Sequence, residues 1–306
     1  YTLSTPYDPS TRTFREGIQV SFPTNSDLLR GIQFNNDGSK MFISTRGGAN
    51  CGAGCVHERI WQFSLSTNFD LSTATFNEIE FQANTANVGI TKSLYGFAFN
   101  NDGTMMFLSD GSTDGLSTEK VYQLSLETAF DLSGSITVIR SVDLEALEDD
   151  AAHQHNAAGE TEPSGMAFNE DGTRMFLIGQ KGNDVNQYTW SEGLNISTAS
   201  FDGGLHLDGN PNGIALSPSG LKMFTTSDTG FGDLNGDLIR EFDLPCPFSL
   251  FAGGCSSITE NKDRTGMALA QIEIAKRTID YSTDTALNRL KWIRRNKDKQ
   301  NLTNLN

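Results

Sequence analysis

Basic residues are scarce in this chain: 23 Lys and Arg stand against 38 Asp and Glu, for a formal net charge of −15. The deficit is uneven. Residues 257–306 hold ten Lys and Arg against six Asp and Glu, which leaves thirteen against thirty-two in residues 1–256, a net of −19 there. A surface of that sign excludes nucleic acid as a partner of the first part, because phosphate binding needs a basic face; its plain role is solubility in a salty medium. Histidine is rarer still. His57, His153, His155 and His206 lie apart in the chain, and none sits in a nucleophile motif. There is no Gly-x-Ser-x-Gly, no phosphate-cradling loop, and no Cys beside a His that reads as a dyad. No stretch reads as a signal peptide or a membrane helix.

Cysteine is limited to four residues. Cys51 and Cys55 fall in a Gly-rich loop, while Cys246 and Cys255 flank Pro247-Phe248-Ser249-Leu250-Phe251-Ala252-Gly253-Gly254. Two close pairs, each at a loop, are expected to form two short-loop disulfides in an oxidising compartment. A metal site would need all four to converge, and neither spacing is Cys-x-x-Cys.

What the chain has in quantity is repetition. GFAFNNDGTMMF at 96–107 recurs as GIQFNNDGSKMF at 31–42, GMAFNEDGTRMF at 165–176 and GIALSPSGLKMF at 213–224. The copies start 65, 69 and 48 residues apart, so the shortest interval approximates the unit and the longer ones carry insertions. Repeats of this size point to a propeller or solenoid. Within a copy, large apolar residues alternate with small or polar ones, the period-two signature of a strand. The Asn-Asn-Asp-Gly between them is turn chemistry, since Asn and Asp tolerate left-handed backbone and Gly accepts positive φ. Asp37, Asp102 and Asp171 therefore belong to hairpin turns. A third strand follows each hairpin, as in 60–65, 121–126, 185–190 and 238–244. After it come a turn segment, clearest at 66–73, and a fourth strand near 75–82, 135–144 and 198–207. Four strands per unit make the blade of a β-propeller. The expected fold is all-β: a propeller of four four-stranded blades over residues 1–256, more if repeats precede Tyr1.

The first residues, Tyr1-Thr2-Leu3-Ser4-Thr5-Pro6-Tyr7-Asp8, match the middle of 62–70, so the chain opens inside a repeat and further sequence is expected upstream. Residues 1–5 would end a third strand and 12–22 would be a fourth. The last unit, 213–244, lacks an outer strand. The surplus and the deficit fit one another, and the expectation is a ring closed by 12–22 as the outer strand of that last blade, which removes exposed sheet edges.

Specificity is expected in the insertions. His153 and His155, beside Glu148, Asp149 and Asp150, have ligand types suited to a transition metal, or are merely solvated on an acidic loop. Asp228, Asp233, Asn235 and Asp237 have the oxygen-rich spacing of a calcium loop but lack the bidentate Glu at its far end, and a tight Asn-Gly hairpin is the alternative. Abundant carboxylates leave open an acid/base pair in the central channel.

After Cys255 the chain changes character. A polar linker precedes a helix expected from about 266 to 295, where Ile272, Ile279, Ala286 and Ile293 recur every seven residues, with Leu269 and Leu290 on the same stripe. Lys276 and Thr283 make the stripe narrow, so the helix suits a small channel or one partner better than a strong zipper. Its basic end, 291–299 with Trp292, is a solvated helix end or a contact for anionic headgroups.

The runs ITENKDRTG at 258–266, AQIEIAKR at 270–277 and ALNRLKWIRR at 286–295 resemble the linker helix of autotransporter-like surface proteins of marine alphaproteobacteria. The blade patterns, such as GFAFNNDGT at 96–104 and YQLSLETAFDLS at 122–133, are similar to a propeller repeat common in their passengers. The resemblance implies a passenger at the surface of a Gram-negative cell, joined through the helix to an outer-membrane β-barrel. Three functions follow as expectations: adhesion or binding of an extracellular ligand, self-association as a subunit of a filament or layer, and hydrolysis or cleavage of an extracellular polymer.

Overall fold

Wherever the copies alternate apolar and polar residues, the backbone is extended and paired with its sequence neighbour. A computed structural model describes residues 1–15, 17–20, 27–47, 58–84, 87–90, 93–111, 119–148, 162–179, 182–207, 209–228 and 238–255. The chain divides into two units, Tyr1–Phe242 and Asp243–Asn306. A short ribbon of β1 (Thr2–Leu3) and β2 (Arg12–Thr13) comes first. The first blade is β3 (Asp27–Phe34), β4 (Lys40–Gly47), β5 (Arg59–Leu65) and β6 (Ala74–Gln82). The second is β7 (Ser93–Phe99), β8 (Met105–Gly111), β9 (Lys120–Leu126) and β10 (Ile136–Asp143), followed by the short helix α1 (Leu144–Glu148). The third is β11 (Pro163–Phe168), β12 (Arg174–Gly179), β13 (Asp184–Trp190) and β14 (Ala199–His206). The fourth has three strands, β15 (Asn210–Leu216), β16 (Lys222–Asp228) and β17 (Leu238–Asp243). All pairings are antiparallel between consecutive strands, and the four sheets are arranged as a four-bladed β-propeller. The first strands adjoin from blade to blade, β3 with β7, β7 with β11 and β11 with β15, so they are the inner strands.

Two local devices hold each of the first three blades. At the hairpin, Gly38, Gly103 and Gly172 take φ of 72°, 71° and 67°, the left-handed region that Gly enters without Cβ strain. The side chains of Asp37, Asp102 and Asp171 accept the amide of Ser39, Thr104 and Thr173, at 2.9, 2.9 and 3.0 Å. The carboxylates stay in the turns, as their sequence context requires. After the third strand the chain folds back over this turn. Phe69, Phe130 and Leu194, themselves at positive φ, donate their amides to the carbonyls of Gly38, Gly103 and Gly172 and lay their side chains where a Cβ would be. Asp70, Asp131 and Asn195 then cap the next turn by accepting the amide two residues on.

The blades pack through alternating faces. Phe42 and Ile60 from the first blade bury against Phe97, Phe99, Met106 and Leu124 of the second. Ala98, Phe107 and Val121 of the second bury against Met166, Met175, Leu177 and Tyr188 of the third. Glutamines in the third strands tie the seams: the Gln62 side chain accepts the Leu132 amide at 2.8 Å, and Gln123 accepts the Ile196 amide while donating to the Leu194 carbonyl.

The ring-closing strand is a correction to the sequence reading. Among the described residues of the fourth strand expected over 12–22, Arg12–Thr13 is strand, and it pairs with Thr2–Leu3 rather than with β17. The register, Thr2 with Thr13 and Leu3 with Arg12, repeats that of Ser64 with Thr75 and Leu65 with Ala74 in the first blade. Residues 1–3 are thus the end of a third strand, and they occupy the partner that β17 would have used. The Asp8 cap on Ser10 and the positive φ of Tyr7 complete the same blade tip. Ile18 and Val20 pack on the cluster of Met41, Ile43 and Trp61 in the first blade.

Between the fourth and first blades the described residues do not repeat the packing seen between consecutive blades. Leu29 and Ile32 on β3 are 57% and 54% exposed, although their counterparts Leu94 and Phe97 on β7 are buried. Ile239 on β17 is 57% exposed, whereas Ile60, Val121 and Val185 at the same position are buried.

Cys246 and Cys255 are disulfide-bonded, with Cα atoms 5.7 Å apart. A loop this short contributes at most roughly 2–3 kcal/mol in the chain-entropy picture. Intact-mass analysis after alkylation without reductant should find both thiols protected; two alkylated thiols in the peptide spanning 246–255 would contradict the bond. Cys51, Cys55 and the helix expected over 266–295 lie outside the described residues.

The turn carboxylates set the acid response. Hydrogen bonds from Ser39, Thr104 and Thr173 hold Asp37, Asp102 and Asp171 below the usual carboxylate range. Burial raises Asp131, but hydrogen bonds from Ser133 and Lys40 outweigh it and hold it at about 2. A depressed folded value stabilises above the unfolded value of about 4 and is lost as pH falls through the folded one. The melting temperature should fall most steeply between roughly pH 4 and pH 2, and less steeply in Asp131→Asn, as followed by circular dichroism. An unchanged profile in that variant would remove the role of the Lys40–Asp131 link.

Candidate functional site: the bulged inner strands

Each inner strand breaks register at one place, just before the repeated Gly. The shifts fall at Leu29/Gly31, Leu94/Gly96, Pro163/Gly165 and Pro211/Gly213. A bulge turns the extra side chain away from the normal alternation. The four extra residues are Arg30, Tyr95, Ser164 and Asn212, a different residue in every copy. The repeated Gly beside each bulge permits close approach of neighbouring blades. A Cβ at Gly96 would lie 3.2 Å from the Ser164 carbonyl oxygen, and one at Gly165 would lie 3.0 Å from that of Asn212. Ser109 Oγ spans the same seam, accepting from the Gly96 amide and donating to the Pro163 carbonyl at 2.7 Å. Ser164 Oγ is within 3.3–3.4 Å of the Ile178 and Pro211 carbonyl oxygens.

The long connections leave from this end of the blades. Residues 48–57, 112–118 and 229–237 join strand ends on the side of the bulges, where β10 also ends before α1 and residues 149–161, whereas the tight Gly turns occupy the other side. One end of the propeller carries fold-defining turns and the other carries variable sequence.

At the bulged end of the first seam, charge gathers round one tyrosine. The guanidinium carbons of Arg30 and Arg46 each stand 5.2 Å from the centroid of the Tyr95 ring. Arg46 Nη1 donates to Tyr95 Oη at 3.1 Å. The Nε atoms of both arginines are buried without a hydrogen-bond partner among the described residues. Tyr95 and Glu162 are buried. Burial makes the Arg30 charge costlier and Arg46 adds repulsion, which together lower the Arg30 pKa, while Tyr95 and Glu162 pull the other way. Burial and the Glu162 charge raise the Tyr95 hydroxyl, against the pull of the two arginines. Close by, Arg59 lies 5.4 Å from the Trp61 ring but has its own carboxylate, Glu80, at 3.2 Å. Asp110, raised chiefly by burial, accepts from the Lys120 amide and from Tyr122 Oη.

Of the residues singled out from sequence, His206 ends β14 opposite Asp184, and Asp228 ends β16 opposite Asn210. His57, His153, His155, Asp233, Asn235 and Asp237 lie outside the described residues. Sequence reasoning passed over Arg30, Tyr95, Ser164 and Asn212. The usable signal is the position directly before the repeated Gly, which changes in every copy while its neighbours stay alike.

No protein-family model matches the chain, and no curated protein does. Among solved structures the chain is similar to a proposed 6-phosphogluconolactonase from Bacteroides fragilis, at 16% identity and TM-score 0.39, covering 72% of this chain and 56% of that one. It is also similar to a protein from Lactobacillus plantarum, at 12% identity and TM-score 0.41, covering 67% and 49%. Hydrazine synthase from Kuenenia stuttgartiensis gives 15% identity and TM-score 0.42, covering 76% and 49%. The chain spans about half the length of these structures. The propeller assignment rests on the sheet order and the blade packing described above.

Proposed function

We propose that this chain is the passenger of an autotransporter-like surface protein and that it acts by binding, with the bulged, loop-bearing end as its binding face. The observation that supports binding most is the division of the propeller into two ends. Repeated residues build the tight turns, while the convergent bulge residues differ in every blade, the arrangement expected where a rigid scaffold presents variable side chains. The resemblance of 258–295 to a passenger–barrel linker supports display at the outer membrane of a Gram-negative cell. The test is capture of the full chain on immobilised extracellular polysaccharides and intact bacterial cells. Arg30→Gln with Arg46→Gln should weaken capture, and Arg12→Gln should not. Equal capture by the wild type and both variants would move the binding face elsewhere, and release of shortened sugar products would favour the polymer-cleaving enzyme instead.

A second reading, self-association, has its own support in the exposed Leu29, Ile32 and Ile239 at the two ends of the blade array. These are the two kinds of face that bury each other at the packed seams. Sedimentation at several concentrations decides it: a single monomer species at all concentrations removes the reading.

A further inference from the structure

We propose that Arg30 and Arg46, sharing the Tyr95 ring at the bulged end of the first seam, form a receptor for one oxyanion group of a ligand: a carboxylate, a sulfate ester or a phosphate. This rests on the binding reading above and specifies its chemistry. Each guanidinium carbon is 5.2 Å from the same ring centroid, so the two lie at most twice that distance apart. The two cations share one ring and Arg46 repels the Arg30 charge, while each keeps a buried Nε that no described residue accepts from; an anion between them would relieve both. Of the charged groups acting on the ring, two are positive and one, Glu162, is negative.

The ligand class follows from geometry and charge. A guanidinium offers its donors as a planar fork that matches the paired oxygens of a carboxylate, sulfate or phosphate. Arg46 already spends one terminal nitrogen on Tyr95 Oη, which fixes its orientation. The aromatic ring beneath keeps both guanidiniums charged without neutralising them. The surrounding residues 1–256 carry a net charge of −19, which repels a polyanion. A ligand with one anionic group on an otherwise neutral body, such as an acidic sugar, fits both conditions. The bulge explains why the site is in the first blade: its inner strand is the one that places Arg in the extra position, and the next blade places Tyr there.

The experiment is thermal-shift titration of the full chain with sodium sulfate, sodium phosphate and sodium glucuronate, each against sodium chloride at matched ionic strength. The expected result is a saturable rise in melting temperature with at least one of the three, lost in Arg30→Gln and in Arg46→Gln and retained in Arg12→Gln. Which anion acts distinguishes a sulfated, phosphorylated or uronic-acid ligand. A rise that survives in both site variants overturns the proposal, as does the absence of any rise beyond chloride in the folded wild type. If either occurs while polysaccharide capture persists, the binding reading stands and the oxyanion receptor alone falls.

Discussion

Gly103→Val is expected to destabilise the propeller by on the order of 2–4 kcal/mol, combining a β-branched residue at positive φ with steric overlap. The two causes are separable on the structure. Gly103 has a φ of 71°, and an added Cβ would overlap the ring of Phe130, whose amide is bonded to the Gly103 carbonyl. Relief would require moving Phe130, which also packs at a tilt against Phe99 with centroids 5.3 Å apart. The lesion therefore reaches from the hairpin turn into the seam between the first two blades. Gly193→Ala is the matched control, since a Cβ there meets nothing within 4 Å; it should cost under about 0.5 kcal/mol. Chemical denaturation of both variants reads the difference directly. Equal stabilities would mean that the folded-back turn does not hold the blade.

Phe107→Ala should cost roughly 3–5 kcal/mol, the range for deleting a fully buried aromatic. Phe107 sits between the second and third blades, with its ring centroid 4.4 Å from that of Phe168. The same reasoning gives a near-zero cost at the unmatched seam. Ile239→Ala removes a side chain that is already mostly in solvent and should change stability by less than about 0.5 kcal/mol. If Ile239→Ala instead costs as much as a buried Ile, the fourth blade is covered in solution and the seam is closed. That pair of measurements separates a seam packed like the others from one left open.

Much of this architecture is legible in the chain because each blade is built from local rules. The alternation in GFAF and MMFL fixes strands, the Asp-Gly turn fixes the hairpin, and the second turn signature at 66–73 predicts a further strand that β6 supplies. The N-terminal ribbon was legible for the same reason: Tyr1–Asp8 repeats a local pattern. Its pairing was not. β1 and β17 are third strands of the same kind, and choosing between them as partner for Arg12 is a competition in space that no local pattern records. The role of Gln62 and Gln123 was hidden likewise, since a Gln in a strand reads as an ordinary polar position until the next blade's turn arrives at its side chain. Arg30, Tyr95, Ser164 and Asn212 escaped because a repeat is recognised by sameness, and the bulge brings together the positions that differ.

The most direct test of the account is the stability of Arg30→Met at low ionic strength. If Arg30 is held for a ligand, its burial and its repulsion with Arg46 are a burden on the fold, and functional sites are where stability is traded away. Thermal unfolding should then place Arg30→Met at or above the wild-type melting temperature. A drop of several degrees would show that Arg30 is a structural member of the first seam, and would contradict the reading of the bulged end as a binding site.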